Sequence, residues 1–156
     1  MPVLMSVEEL ERFLATEMPQ AFNPQSGLSI EAVWEHGCRV HQAFRATSLR
    51  PGGTISGPTM MALADFAMYV AVLGAIGPVS LAVTINLNIN FLRKPVASDL
   101  TAEACLLKLG KRLATGEVVS AARGRRSRWR MRPRPTPFHR ALPCRMTVQW
   151  NRQINH

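Results

Sequence analysis

The sequence predicts an α+β fold in which an antiparallel sheet wraps around one long buried helix. Residues 59–76 are apolar almost all round and hold a single charge, that of Asp65, which is typical of a helix enclosed in a core. Residues 83–91 alternate apolar and polar side chains, which is the clearest strand pattern in the chain. One long helix followed by a run of strands favours α+β over a strictly alternating parallel architecture.

Capping signals mark the start of two helices. Ser6 and Glu9 have the spacing of a capping box at the start of an amphipathic helix over residues 6–18. Ser56 or Gly57 can cap the buried helix, and Pro58 suits its first position. We interpret Ser56 as a cap rather than a nucleophile, because no His–Asp pair is placed to activate its hydroxyl.

Four more segments alternate apolar and polar residues as half-buried strands do. Residues 28–34 and 39–47 predict a hairpin, and residues 100–109 and 112–119 continue the strand of residues 83–91 as a meander. The two hairpin strands and the three meander strands are expected to form the sheet around the helix.

Charge divides the chain into two parts. Residues 1–119 carry nine basic and ten acidic side chains, a formal charge of −1, whereas residues 120–156 carry ten arginines and no acid. We therefore expect one domain over residues 1–119, followed by an arginine- and proline-rich tail that is disordered or irregular. The near-neutral first part offers no electrostatic argument for nucleic-acid binding.

The composition predicts a cytoplasmic protein without a metal site. Cys38, Cys105 and Cys144 are widely spaced, with no CxxC pair and no Cys/His cluster at zinc spacing. The N-terminal residues carry acids where a signal peptide carries positive charge. Residues 59–76 are short for a membrane span and contain an acid, so a buried helix is the better interpretation.

Asp65 is the first candidate for chemistry. An ionised carboxylate in an apolar helix is costly unless it has a partner, so this residue is either satisfied structurally or kept for function. Gly57 lies at the start of the same helix, where free N–H groups favour negative charge. An acyl oxygen could bind there, and the carboxylate two turns on could act on the neighbouring carbon.

At these residues the chain resembles a known family. The segments "RPGGTISGPTMMALAD", "TINLNINFLRKP" and "LTAEACLLKLGKRLATGEV" are similar to the hotdog-fold acyl-CoA thioesterases of the phenylacetic-acid-degradation type, over residues 28–119. The resemblance implies a hotdog fold, homodimers or dimers of dimers, and active sites at the dimer interface. It implies an acyl-CoA substrate, hydrolysis by water, and no metal or redox cofactor.

The resemblance also implies roles for individual residues. The family's helix aspartate, its nucleophile or general base, falls on Asp65, and its oxyanion-binding glycine falls on Gly57. A hydroxyl residue of some members matches Thr84. The chain departs from the family where Ser56 replaces a histidine and Arg50 replaces an asparagine. Ser56, in the position of the histidine, is therefore kept as a catalytic candidate beside Asp65, Gly57 and Thr84, and the substitutions bear on rate and substrate more than on fold.

Residues flanking this centre are candidates for binding substrate or CoA. Pro58 and Thr59 follow the oxyanion glycine in sequence. Basic residues at the meander turns are either solvated charges or contacts to the CoA phosphates. These substrate- and CoA-binding candidates are Pro58, Thr59, Arg93, Lys94, Lys111 and Arg112.

The arginine-rich tail invites a separate hypothesis. Members of the family end in a strand such as Val-Ala-His-Ala-Thr-Gly-Thr-Tyr-Ser-Ile-Pro-Pro. When that segment is written in GC-rich codons and read one base later, most of its residues agree with residues 129–139. We therefore interpret the part after Val119 as the family's last strands in a shifted reading frame, and we expect it to leave the sheet without its final strand.

Two other functions remain open from the sequence. The lost histidine is compatible with a hotdog protein that binds acyl-CoA without hydrolysing it. The tail, with Trp129 and Phe138 among its arginines, is compatible with nucleic-acid binding, although the rest of the chain argues against it.

Overall fold

The computed structural model describes residues 2–79, 82–92, 95–122 and 144–152. It has two α-helices, one short 3₁₀ helix and eight strands in that part of the chain. In chain order they are α1 (Val7–Glu17), β1 (Leu28–Trp34), β2 (Gly37–Gln42), the 3₁₀ helix (Ala46–Ser48), β3 (Leu49–Arg50), β4 (Thr54–Ile55), α2 (Gly57–Ile76), β5 (Ala82–Phe91), β6 (Leu100–Leu109), β7 (Leu113–Ala122) and β8 (Cys144–Arg152).

Six strands form one antiparallel sheet in the order β1-β2-β6-β7-β8-β5, and β3 pairs with β4 in a separate ribbon. The sheet packs its buried face against α2. That face includes Val40, Ala102 and Val118, none of which is exposed to solvent. The predicted α+β arrangement of an antiparallel sheet around one long helix is confirmed.

Helix α1 begins as its capping signature predicts. The Ser6 N–H donates to Glu9 Oε2 at 2.7 Å, and the Glu9 N–H donates to Ser6 Oγ at 3.3 Å. Leu10 and Leu14 lie one turn apart on the same face and are fully buried. The capping box fixes where the helix starts, and the burial of these leucines holds it to the core.

Helix α2 starts two residues before the predicted boundary of residue 59. Ser56 is its N-cap, and Pro58 occupies the first turn. Backbone N–H groups in the first turn have no partner within the helix, so proline, which lacks an N–H, costs no helical hydrogen bond there. The helix ends at Ile76, and the next residue, Gly77, caps it with a φ of 86°, which suits glycine. By length and composition it could span a membrane, but most of it is buried inside the fold as the core helix.

The second hairpin strand is shorter than predicted. β2 ends at Gln42, and the predicted continuation to residue 47 instead leads into the 3₁₀ helix. The Phe44 N–H donates to Asp99 Oδ1 at 2.8 Å instead of continuing the ladder with a neighbouring strand. The Asp99 carboxylate thus takes the place of a carbonyl on a neighbouring strand as the acceptor for this N–H. The alternation of apolar and polar residues gives no sign of such a contact, so the end of the strand was predicted too late.

The sheet has a final strand, contrary to the expectation for the tail. β7 continues to Ala122, and β8 lies between β7 and β5, pairing with both. Without β8, the facing edges of β7 and β5 would carry unpaired backbone N–H and C=O groups, so a strand at this position stabilises the sheet. Met146, Val148 and Trp150 alternate with polar residues in the sequence, a strand signal that the surrounding arginines obscure. Residues 123–143 and 153–156 of the tail lie outside the described residues.

Strand β5 lies at one end of the sheet. In the described part of the chain it pairs with β8 on one side only, so its other edge presents unpaired N–H and C=O groups. Val83 and Ile85 on this strand are 41% and 53% exposed. An edge strand with exposed apolar side chains is a surface suited to pairing with another chain.

Candidate active site

Asp65 is held by a hydroxyl from the sheet. Thr84 Oγ1 on β5 donates a hydrogen bond to Asp65 Oδ1 on α2, so the two candidate residues lie together. Asp65 is partly buried, and it continues a helical face on which Pro58, Met61 and Ala62 are exposed. The sequence suggested a helix buried on every side. The exposed face was missed because its residues, Met61 among them, are themselves apolar.

A cavity of about 390 Å³ opens beside the carboxylate. Its wall is mostly apolar, with a few side chains, among them Glu17, Gln42 and Asp65, bringing polar atoms to it. An apolar cleft with a few polar groups is the usual form of a small-molecule site. The lining residues are Glu17, Met18, Ala21, Leu28, Gln42, Ala62, Leu63, Asp65, Phe66, Tyr69 and Ala82.

The start of α2 is built as a cap. Ser56 Oγ accepts from the Thr59 N–H at 3.4 Å and lies 2.8 Å from Thr59 Oγ1, while the Ser56 N–H donates to the Ser48 carbonyl at 2.8 Å. The Gly57 N–H finds no acceptor among the described residues. It is therefore a free donor at the positive end of a helix dipole, as an oxyanion site requires.

Gly57 and Asp65 do not meet within one chain. Asp65 lies eight positions after Gly57 along α2, which corresponds to a rise of about 12 Å. A donor to a thioester oxygen and a group acting on its carbon must both lie within about 3–3.5 Å of adjacent atoms. The interpretation that both residues of one helix act on the same thioester is therefore wrong for a single protomer.

Comparisons with known proteins show the family of this chain. The thioesterase superfamily profile matches residues 52–123, which include both Gly57 and Asp65. A solved structure described as a candidate thioesterase, from Silicibacter sp. TM1040, is 33% identical, with a TM-score of 0.76; the match covers 96% of this chain and 92% of that one. This chain belongs to the thioesterase superfamily.

Other solved structures resemble this thioesterase-family chain. A mutant of the phenylacetic acid degradation protein PaaI from Thermus thermophilus is 25% identical, with a TM-score of 0.64; the match covers 81% of this chain and 94% of that one. The zebra fish thioesterase superfamily member 2 shares the fold at 14% identity, with a TM-score of 0.72 over 96% of this chain and 99% of that one. Among curated proteins no sequence matches. The chain is thus a PaaI-like hotdog protein, and thioester hydrolysis is its class of reaction.

The basic candidates are dispersed in this thioesterase-family fold. Lys111 and Arg112 lie at the exposed turn between β6 and β7. Arg112 borders a small cleft with Val72 and Ile76, so it lies near the end of α2 opposite Gly57. Arg93 and Lys94 lie outside the described residues.

Ser29, His41 and Asp99 form a polar cluster at the hairpin that the sequence did not predict. His41 Nε2 lies 2.9 Å from Asp99 Oδ2, and His41 Nδ1 lies 3.4 Å from Ser29 Oγ. The cluster does not include Asp65 or Gly57. The direct pairing of Ser29 with His41 across β1 and β2 could be predicted only with the register known.

Proposed function

We propose that this protein hydrolyses the thioester bond of an acyl-CoA in the cytoplasm. Asp65 serves as general base or nucleophile, and the Gly57 N–H serves as oxyanion donor. The observation that carries the proposal is the Asp65 carboxylate, which accepts the Thr84 hydroxyl hydrogen bond at the wall of an apolar cavity. The apolar wall suits an acyl group, and a carboxylate held at that wall is able to start hydrolysis.

The chemistry needs only water as a second substrate. As a base, Asp65 takes a proton from the water that attacks the thioester carbon. As a nucleophile, it attacks that carbon itself and forms an anhydride, which water then opens. Either route gives a carboxylic acid and the CoA thiol. The Gly57 N–H stabilises the negative charge that develops on the carbonyl oxygen.

We infer that two copies of the chain complete each site. The rise of about 12 Å between Gly57 and Asp65 requires these groups to come from different protomers if they act on one thioester. The free edge of β5, with Val83 and Ile85 exposed, supplies a surface for the second copy beside the strand that carries Thr84. A two-fold homodimer would form two equivalent sites, and a dimer of dimers would form four.

The CoA moiety is expected at the start of α2 and at basic side chains. Pro58 and Thr59 border the Gly57 N–H in the first helical turn. Lys111 and Arg112 are exposed near the other end of α2, so in a shared site they would have to reach the CoA from the second copy; their guanidinium and ammonium groups suit the CoA phosphates. Arg93 and Lys94 remain predictions on the same grounds.

A non-catalytic acyl-CoA-binding protein is the second candidate. Ser56 stands where the family carries a histidine, and its hydroxyl is occupied as the helix cap. A site without the family's histidine could still bind acyl-CoA while hydrolysing it more slowly or not at all.

An acyl-CoA panel tests both candidates. We expect the wild type to release CoA thiol from at least one acyl-CoA and Asp65→Asn to lose at least about 100-fold in kcat. Glu8→Gln, an exposed acid on α1, is the matched control and should behave as wild type. Calorimetric binding without hydrolysis would favour the second candidate, and hydrolysis unchanged in Asp65→Asn would refute the assigned role.

Mixed dimers test the shared site. Asp65→Asn removes the carboxylate, and Gly57→Pro removes the N–H, so each variant alone should be inactive. Subunit exchange between them creates one site with both wild-type groups if the groups come from different protomers. We expect activity to return on mixing. Two folded variants that exchange subunits yet stay inactive would contradict the two-copy site.

A further inference from the structure

The ring of Phe91 lies against Gly57. A Cβ atom added to Gly57 would lie 3.3 Å from Phe91 Cζ, which is tighter than ordinary contact, and 3.7 Å from Cε1, an ordinary van der Waals distance. The tip of the phenyl ring therefore borders the backbone of the first residue of α2. This contact joins the end of β5 to the start of α2.

Core packing alone does not account for this ring. Phe91 is 50% exposed, so half of a large apolar side chain remains in solvent at the end of its strand. Its backbone is fixed, because Phe91 pairs with Cys144 in the β5–β8 ladder. The ring thus lies beside the backbone of Gly57, the residue whose N–H has been assigned to bind the substrate oxygen.

We infer that Phe91 forms a wall of the oxyanion site, where it limits the access of water to the Gly57 N–H and restricts the space beside the thioester carbon. This inference rests on the proposed function. A donor with less water around it stabilises a developing oxyanion more strongly. The same wall leaves less room for a branch on the carbon next to the carbonyl, so Phe91 also determines specificity.

Two effects on kinetics follow. Phe91→Ala should lower kcat for a straight-chain acyl-CoA about tenfold. This loss is smaller than the roughly 10²–10³-fold loss that follows removal of an oxyanion donor, because the Gly57 N–H itself remains. The KM should change less than kcat, because the screening acts on charge that develops in the transition state. Discrimination against the α-methyl form of the same acyl group should fall by about tenfold, the lower end of what one methylene is worth in an apolar pocket.

The experiment measures kcat and KM of wild type, Phe91→Ala, Phe91→Leu and Leu107→Ala on the best straight-chain substrate and its α-methyl counterpart. Leu107 is an exposed apolar residue of β6 and serves as the control for loss of apolar surface. We expect Phe91→Leu to be intermediate and Leu107→Ala to match wild type. Unchanged kcat and unchanged discrimination in Phe91→Ala would overturn the inference, as would the same losses in Leu107→Ala.

A double-mutant cycle adds a direct readout of the contact. Gly57→Ala keeps the N–H but places a methyl group against the ring, and Phe91→Ala removes the ring. We expect the double variant to be more active than the product of the single effects. Additive effects would refute the coupling. If Asp65→Asn is inactive while Phe91→Ala resembles wild type, the role of Phe91 is refuted and the proposed function stands. If the wild type hydrolyses no acyl-CoA, the proposed function and the role of Phe91 are both refuted.

Discussion

The Thr84 hydroxyl donates its hydrogen bond to the Asp65 carboxylate and so joins the edge strand β5 to the middle of α2. This contact fixes one oxygen of the carboxylate and leaves the other for substrate or water. The residue that carries the proposed chemistry is therefore oriented by the strand that also offers a surface to a second copy.

Removing this hydroxyl should impair turnover without unfolding the protein. Thr84→Val keeps the shape of the side chain but leaves Asp65 without its donor, and we expect kcat to fall about tenfold, below the roughly 10²–10⁴-fold value of the whole base. Thr84→Ser retains the hydroxyl and should stay within about threefold of wild type. Steady-state kinetics on one acyl-CoA measure both. Equal rates for the valine and serine variants would show that the hydrogen bond does not matter for catalysis.

Ser56 should affect stability more than rate. Its hydroxyl caps α2 at the Thr59 N–H, so Ser56→Ala is expected to lower the free energy of unfolding by about 1 kcal/mol while kcat stays within about threefold. Ser6→Ala at the start of α1 is the matched cap variant. Urea denaturation of both variants gives the stability change. A loss of hydrolysis as large as that of Asp65→Asn would instead assign Ser56 to the chemistry.

Stability should fall in alkaline solution because of a buried thiol. Burial raises the pKa of Cys38 above its ordinary value, and the thiol contacts the Ala67 carbonyl at 3.1 Å. Above about pH 8.5 the unfolded state ionises this thiol while the folded state keeps its proton, so the free energy of unfolding decreases as pH rises.

Urea denaturation at about pH 7.5, 9 and 10 measures this dependence. One thiol contributes at most about 1.4 kcal/mol per pH unit. Burial also raises the pKa of Cys105 and Tyr69, which adds a dependence of the same sign. Cys38→Ala should show a shallower slope than wild type, and an identical slope would exclude Cys38 as the source.

Strand β8 should be essential to the sheet. Val148 pairs with Gly116 on β7 and Leu87 on β5, so its N–H lies within the ladder between them. Val148→Pro removes that N–H, leaves a ladder acceptor without its donor, and should lower the free energy of unfolding by about 1–3 kcal/mol. Val148→Thr keeps the N–H and is the control. A proline variant that melts like the threonine variant would contradict the position of β8.

The reading-frame hypothesis predicts that the gene carries a second open frame after codon 119. We expect one inserted or deleted base near codon 119 to open a frame that encodes an alternating strand ending near Tyr-Ser-Ile-Pro. Nucleotide sequencing tests this directly, and the absence of such a frame would refute the hypothesis. The strand at Cys144–Arg152 is compatible with either outcome, because a sheet position can be filled by any segment with suitable alternation.

Local patterns predicted the elements whose signals lie within a short segment. The capping box of Ser6 and Glu9 predicted the start of α1, and the alternation through residues 83–91 predicted β5. The pairing of Asp65 with Thr84 could not follow from spacing, because it depends on how α2 crosses β5. The contact between Phe91 and Gly57 depends on the same crossing and had no sequence signal at all.

The order of strands has a consequence for how the protein is made. β5 is synthesised before β6 and β7, yet its partner in the sheet is β8, the last of the described strands in chain order. Until β8 has been synthesised, β5 lacks the neighbour that it has in the folded sheet, and it carries Val83 and Ile85, which are exposed even after folding. Newly made chains therefore pass through a stage in which an unpaired apolar strand is open to aggregation, and that stage ends only after β8 has been synthesised.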